Sequence, residues 1–190
     1  NVGQFSSTAT GWLCYATDPA NPVSKVREIA KMGSTTQISP PDQKAKVTIV
    51  MTDGLGVKQL DGQDVSGDHS QMEVPPSEND YCIGLKIEYG EIIYATAGDS
   101  DGVYDKSQWG YTYNDVETVM APLMGPVDVL MANHHGSGHS TNQFYVDTLG
   151  PQVIFVQCGY DNSYGPAPQV ILSRRLATGD GFCTTPGDTS

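Results

Sequence analysis

The sequence is short of basic residues and of long apolar runs. Its 190 residues contain 10 Lys and Arg against 22 Asp and Glu, which gives a formal net charge of −12. A surface field of this sign repels polyanions, so a long nucleic acid is not expected as a ligand. No apolar run approaches the ~20 residues that a membrane-spanning helix needs, so no membrane partner is expected either.

Several well-known catalytic and metal-binding motifs are also missing. The sequence has no P-loop, no GxGxxG, no GxSxG and no HExxH, so the usual phosphate, dinucleotide, serine-hydrolase and zincin sites have no support. Its four cysteines show no CxxC spacing, and a zinc ribbon is therefore not expected. Disulfides and buried thiols both remain open for these cysteines.

The overall composition is that of a loop-rich globular protein. Hydrophobic residues make up 38% of the chain, which also has 21 Gly and 12 Pro. This length suits one domain, so we expect residues 1–190 to form a single domain or part of one. Strong acidity with many Gly, Tyr, Ser and Thr favours a secreted, extracellular protein. Both ends look arbitrary, which favours a proteolytically processed chain.

The hydrophobic pattern alternates between strands and helices. A β-rich run at 46–51 is followed by a hairpin over 81–97 that turns at 89–91. Short apolar runs predict two further strands, and three-to-four-residue spacing predicts helices between them. The further strands are 127–132 and 153–158, and the helices are 23–30, 114–123, 141–149 and 169–177. The pattern predicts an α/β fold, a mixed sheet covered by helices, with a loop-like tail after residue 177.

Polar side chains that can bind a metal follow two of these strands. His134, His135 and His139 lie in a Gly/Ser-rich loop, and Asp99 lies in a Gly-Asp turn. Carboxylate and imidazole together suit Zn, Mn or Fe. The alternative is a polar turn whose histidines bond to neighbouring backbone. Because a catalytic zinc takes about three protein ligands, Asp99 and one histidine need further ligands from elsewhere.

Three segments in order, 79–99, 127–137 and 159–165, resemble the metallo-β-lactamase fold. The similarity is to the hydrolase domain of bacterial competence (DNA-uptake) proteins and their secreted relatives, and it covers about residues 75–175. The His-His-Gly-Ser element after a strand is its most specific part. The resemblance implies one half of an αββα sandwich.

The same resemblance implies a metal centre of one or two divalent ions, for which we expect zinc. Asp99 corresponds to the carboxylate that bridges two ions, and His134 to a ligand of the second ion, with His135 the close alternative. Asn162 belongs to an Asn-x-Tyr-Gly segment in which Pro166 replaces the histidine that commonly follows. The family's His-x-His-x-Asp-His motif is absent, so we expect a second chain or segment to carry it.

These observations predict a metal-dependent hydrolase that acts through metal-bound hydroxide on an ester, lactone, lactam or phosphodiester bond. Ser137 and Asn162 are candidates to donate hydrogen bonds to the developing oxyanion, although capping of surface backbone is as good an account of either. The negative charge favours a small or short substrate. The alternative is a degenerate, non-catalytic binding module that keeps the fold without the metal.

Overall fold

The computed structural model describes residues 18, 20, 28–54, 76–107, 110–157 and 180–183. The chain divides into two compact units, 1–30 and 31–190, and the elements below belong to the second. In the first unit, the Asp18 carboxylate accepts a hydrogen bond from the Ala20 amide at 2.9 Å. Of the helix predicted at 23–30, residues 23–27 lie outside the described part and 28–30 are irregular. The helix predicted at 169–177 also lies outside it.

A six-stranded mixed sheet forms the centre of the second unit, in the order β1-β2-β3-β6-β7-β8. The first three strands pair antiparallel and the last four pair parallel. A separate two-stranded ribbon pairs β4 with β5. The strands are β1 Ala45–Met51, β2 Gly84–Tyr89, β3 Ile92–Thr96, β4 Asp105–Lys106, β5 Thr112–Tyr113, β6 Val129–Met131, β7 Val153–Val156 and β8 Asp180–Cys183. The predicted α/β class with a mixed sheet is confirmed.

Among the described residues, two helices contribute to the core, α1 (Val116–Met124) and α2 (Gln143–Leu149). Each begins two residues later than the sequence pattern indicates, because a polar residue caps it. Asp115 accepts from the Thr118 amide at 2.9 Å, and Asn142 accepts from the Tyr145 amide at 2.8 Å. Apolar side chains from both helices and the sheet form one buried cluster, which includes Met51, Ala95, Met120, Leu130, Val146, Leu149 and Ile154.

Strand β8 is the main departure from the sequence prediction, which placed a loop there. It pairs with β7 in parallel, from Val153 opposite Asp180 to Val156 opposite Cys183. Four residues that include a glycine carry no alternation of their own, and the partner strand lies far back in the chain. The pairing is therefore not visible in the local sequence. No described helix is long and apolar enough to cross a membrane.

The parallel pairing of β3 with β6 sets the location of the candidate site. Because both strands run in the same direction, their carboxyl ends reach the same edge of the sheet. Strand β3 leads there into Gly98 and Asp99, and β6 leads into the turn Asn133–Gly136. The two segments that the sequence singles out for metal binding are thus neighbours.

Candidate metal centre

Asp99 and His135 face each other at this edge. The distance from Asp99 Oδ1 to His135 Nε2 is 3.4 Å, and both side chains are partly exposed. The other ring nitrogen of His135, Nδ1, lies 2.7 Å from the backbone oxygen of Gln157. Since that carbonyl can only accept, Nδ1 carries the proton in this contact. In the neutral ring this leaves the lone pair on Nε2, the nitrogen that faces Asp99.

His134 is held by a different carboxylate. Its Nδ1 lies 2.9 Å from Oδ1 of Asp101, which is completely buried. Burial raises the pKa of Asp101, and the hydrogen bond to His134 opposes that rise. The same hydrogen bond is the main cause that raises the pKa of His134. Asp101 Oδ2 is buried with no hydrogen-bond partner among the described residues. With Nδ1 engaged, His134 has only Nε2 left for a metal.

Both histidines have a backbone conformation that side chains rarely adopt. The φ angles are 46° at His134 and 54° at His135, followed by 76° at Gly136. A left-handed conformation costs about 1–2 kcal/mol for each non-glycine residue. Hydrogen bonds hold the turn in place, from the His134 amide to the Gly98 carbonyl at 3.0 Å and from the Ser137 amide to the His134 carbonyl at 2.8 Å. Strain of this kind is concentrated at functional sites.

The remaining candidates from the sequence lie in different settings. Ser137 donates its hydroxyl proton to Ser140 Oγ at 3.2 Å, a contact within the loop. The ring of His139 stacks on Tyr113, with centroids 4.5 Å apart and planes 25° from parallel. Asn162 lies outside the described residues. Cys82, the cysteine whose pairing is described, forms no disulfide.

Glu117 of α1 is a buried carboxylate to which sequence reasoning assigned no role in the site. It accepts hydrogen bonds from the backbone amides of Thr141 at 2.5 Å and Asn142 at 2.6 Å, and from Asn133 Nδ2 at 2.8 Å. Burial raises its pKa to about 7 despite these donors. A Cβ atom on Gly102 would overlap its Oε2 oxygen. In the sequence it looks like any acidic residue in the first turn of a helix, so no signal distinguishes it.

The donors at this edge fit part of a metal site. Two ligands of a tetrahedral ion at ~2.1 Å stand about 3.4 Å apart, the separation between Asp99 Oδ1 and His135 Nε2. Both histidines bond through their other nitrogen to a carbonyl or carboxylate, the usual arrangement around a metal-binding imidazole. The described residues contain no group of three His, Cys, Asp or Glu that converges on one point. The pair therefore fits an ion whose further ligands come from elsewhere.

A shallow pocket of about 260 Å³ lies between the turn after Asp99 and the histidine loop. Its lining consists of Gly102, Val103, Gly138, His139, Asn142 and Gln143. This volume is just below the ~300–1,000 Å³ of ordinary small-molecule sites, so it suits a small group rather than an extended chain.

No protein-family model matches the chain, and no curated protein matches it. Among solved structures it is similar to CmlA, a diiron beta-hydroxylase from Streptomyces venezuelae, at 15% sequence identity and a TM-score of 0.43. The likeness covers 79% of this chain and 31% of CmlA, so the chain spans about a third of that protein.

Proposed function

We propose that this chain forms part of a metal-dependent hydrolase of the metallo-β-lactamase fold, and that Asp99 and His135 are ligands of one ion. The observation that carries the proposal is the 3.4 Å approach of Asp99 Oδ1 to His135 Nε2, with His135 Nδ1 bonded to the Gln157 carbonyl. That bond directs the free lone pair of His135 toward the carboxylate. A polar turn that only bonded its histidines to backbone would not need the other nitrogen of His135 to face a carboxylate.

Each polar side chain at this site has a separate proposed role. Asp99 supplies negative charge, and His135 supplies a neutral nitrogen whose tautomer the Gln157 carbonyl selects. Asp101 orients His134 through Nδ1 and leaves Nε2 for a second ligand position. A divalent ion bound here, for which we propose zinc, supplies Lewis acidity and lowers the pKa of a water molecule toward neutrality. Ser137 and Asn162 are the proposed donors to the developing oxyanion.

A small or short substrate with an ester, lactone, lactam or phosphodiester bond suits this site best. The net charge of −12 opposes a long polyanion, whose binding normally uses ~6–10 contacts from Lys and Arg.

The ligands still needed are proposed to come from a segment or second chain that carries the His-x-His-x-Asp-His motif. The support is the ligand count, because the described residues supply one pair while a catalytic zinc takes about three protein ligands. Intact-mass analysis of the protein purified from its source, with sequencing of any co-purifying peptide, tests this. A companion that contains the motif supports the proposal, and isolation of this chain alone in an active preparation contradicts it.

Metal binding and turnover should both depend on the pair. In the complete protein, Asp99→Ala and His135→Ala are expected to abolish zinc binding and hydrolysis of chromogenic ester and phosphodiester substrates, with the fold retained. Asp147→Ala is the matched control, because that carboxylate is exposed and, within the described part of the chain, bonds only to Gln143. Zinc binding and activity that survive both site substitutions would contradict the proposal. A wild type that binds no zinc and shows no activity would instead favour the non-catalytic binding module.

A further inference from the structure

We propose that Glu117 is a positioning residue that holds the histidine loop, residues 134–140, in the conformation that brings His135 to Asp99. This inference rests on the proposed metal centre for its functional meaning, although the geometry can be tested in the metal-free protein. Glu117 lies on α1 and makes no hydrogen bond to Asp99, His134 or His135. Its hydrogen bonds therefore act on His135 through the loop, while its charge also helps to raise the pKa of His134.

The carboxylate of Glu117 accepts hydrogen bonds from residues at both ends of the loop. Oε1 accepts from the side-chain amide of Asn133, the residue before the loop, and from the backbone amide of Thr141, the residue after it. Oε2 accepts from the backbone amide of Asn142 at 2.6 Å. Because one carboxylate takes donors from the entry and the exit, the two ends of the loop cannot move apart without losing a buried hydrogen bond.

The same carboxylate is connected to the turn that carries Asp99. Asn142 Nδ2 donates to the Gly102 carbonyl at 2.8 Å, and the Gly102 amide donates to the His139 carbonyl at 2.7 Å. Gly102 packs so closely on Glu117 that a Cβ atom there would overlap Oε2. The Asp99 turn and the histidine loop are thus fixed against one common group, which sets the separation between the two proposed ligands.

The conformation of the loop needs hydrogen bonds across its ends, and those of Glu117 add to the bonds that Asn133 makes with Ser140 and Thr141. His134 and His135 have φ angles of 46° and 54°, and Thr141 at its exit has φ of 52°. Without hydrogen bonds that hold the loop, these three non-glycine residues would leave the left-handed region of backbone angles. Glu117 is fully buried, and within the described residues no basic side chain forms an ion pair with it. Because a buried carboxylate without an ion-pair partner destabilises the folded state, we infer that Glu117 serves to position the loop.

Glu117→Gln is the direct test. The glutamine side chain has the same size but replaces one acceptor oxygen with an NH2 group, so at least one of the three donors loses its hydrogen bond to residue 117. In the metal-free full chain, long-range ¹H–¹⁵N NMR of the histidine rings reports the tautomer of each ring. We expect wild-type His135 to be fixed with the proton on Nδ1, and Glu117→Gln to move its ring shifts toward the average of the two tautomers.

Met120→Ala is the matched control, because Met120 is a buried core residue of the same helix and takes no part in the hydrogen bonds of Glu117. This substitution lowers the stability of α1 while leaving the hydrogen bonds of Glu117 in place. Ring shifts in Glu117→Gln that stay at the wild-type values, or that move no further than those of Met120→Ala, overturn the proposal. If Glu117→Gln fails to fold, Glu117→Asp, which keeps the charge but shortens its reach, is judged by the same criterion.

A second measurement, the affinity for Co²⁺, separates the two proposals. Glu117→Gln in the complete protein is expected to weaken Co²⁺ binding about tenfold, the lower end of the loss seen when groups that support metal ligands are removed. Wild-type protein that binds no Co²⁺ contradicts the proposed function, whereas the positioning proposal is still decided by the ring shifts. Co²⁺ binding that weakens in Glu117→Gln no more than in Met120→Ala contradicts the positioning role.

Discussion

The close packing of Gly102 on Glu117 gives a sharp prediction for Gly102→Ala. An added Cβ would overlap Glu117 Oε2 and lie 3.0 Å from Asn142 Nδ2. Forcing an extra methyl group into a packed site costs about 1–3 kcal/mol, and an amide deprived of its buried acceptor costs a similar ~1–3 kcal/mol. Because a shift of the carboxylate relieves part of the overlap, we expect a total loss in unfolding free energy of about 2–4 kcal/mol.

Gly138→Ala is the matched substitution for this experiment. Neither glycine has a left-handed backbone, and a Cβ on Gly138 meets no atom within 4 Å. Both variants gain the same entropic benefit from a stiffer unfolded chain, about 0.4–1 kcal/mol, so the comparison isolates the contact with Glu117. Urea denaturation followed by circular dichroism measures the difference. Unfolding free energies of the two variants that agree within ~0.5 kcal/mol would refute the reasoning.

Two further predictions concern stability away from the site. Burial raises the pKa of Asp80 to about 7, against hydrogen bonds from Asn114, so the folded state holds this proton more tightly than the unfolded state. This contribution to the unfolding free energy is complete below pH ~4 and is lost as the pH rises toward 7, with about 2 kcal/mol of it lost between pH 5 and 7. Urea unfolding at pH 5 and pH 7 should show a correspondingly smaller change in unfolding free energy for Asp80→Asn than for the wild type. An equal change in the two proteins contradicts the assignment to Asp80. Lys86 Nζ donates to the Met124 carbonyl at the end of α1 at 2.9 Å, so Lys86→Met should cost about 1 kcal/mol. Lys46→Met, which removes a half-exposed ion pair with Glu88, should lower the unfolding free energy by less than about 0.5 kcal/mol. Equal losses of unfolding free energy in the two lysine variants would contradict a stabilising contact between Lys86 and the end of α1.

The sheet and the edge that carries the site were predictable because their signals are local. The hairpin of β2 and β3 follows from two apolar runs around Gly90, which has φ of 62° in the turn. Asp99 and the histidine loop each follow a strand directly, so parallel pairing of β3 and β6 was enough to bring them together. The late starts of α1 and α2 come from Asp115 and Asn142, which act as caps rather than helical residues.

The detailed roles within the site were not predictable, because they depend on contacts between distant residues. Which histidine faces Asp99 depends on left-handed backbone angles and on a bond from His135 to Gln157, 22 residues further along. Asp101 and Glu117 lie in a turn and a helix where acidic residues are common, and only burial distinguishes them. Strand β8 depends on a partner that its own four residues do not indicate.

The most direct test of the account is zinc binding by the protein expressed from its complete gene, compared with its Asp99→Ala, His135→Ala and Asp147→Ala variants. Equilibrium dialysis with metal analysis gives the stoichiometry of each. We expect one or two zinc ions in the wild type and in Asp147→Ala, and loss of zinc in the other two variants. Equal zinc content in all four proteins, or none in the wild type, would contradict the claim that Asp99 and His135 form a metal centre.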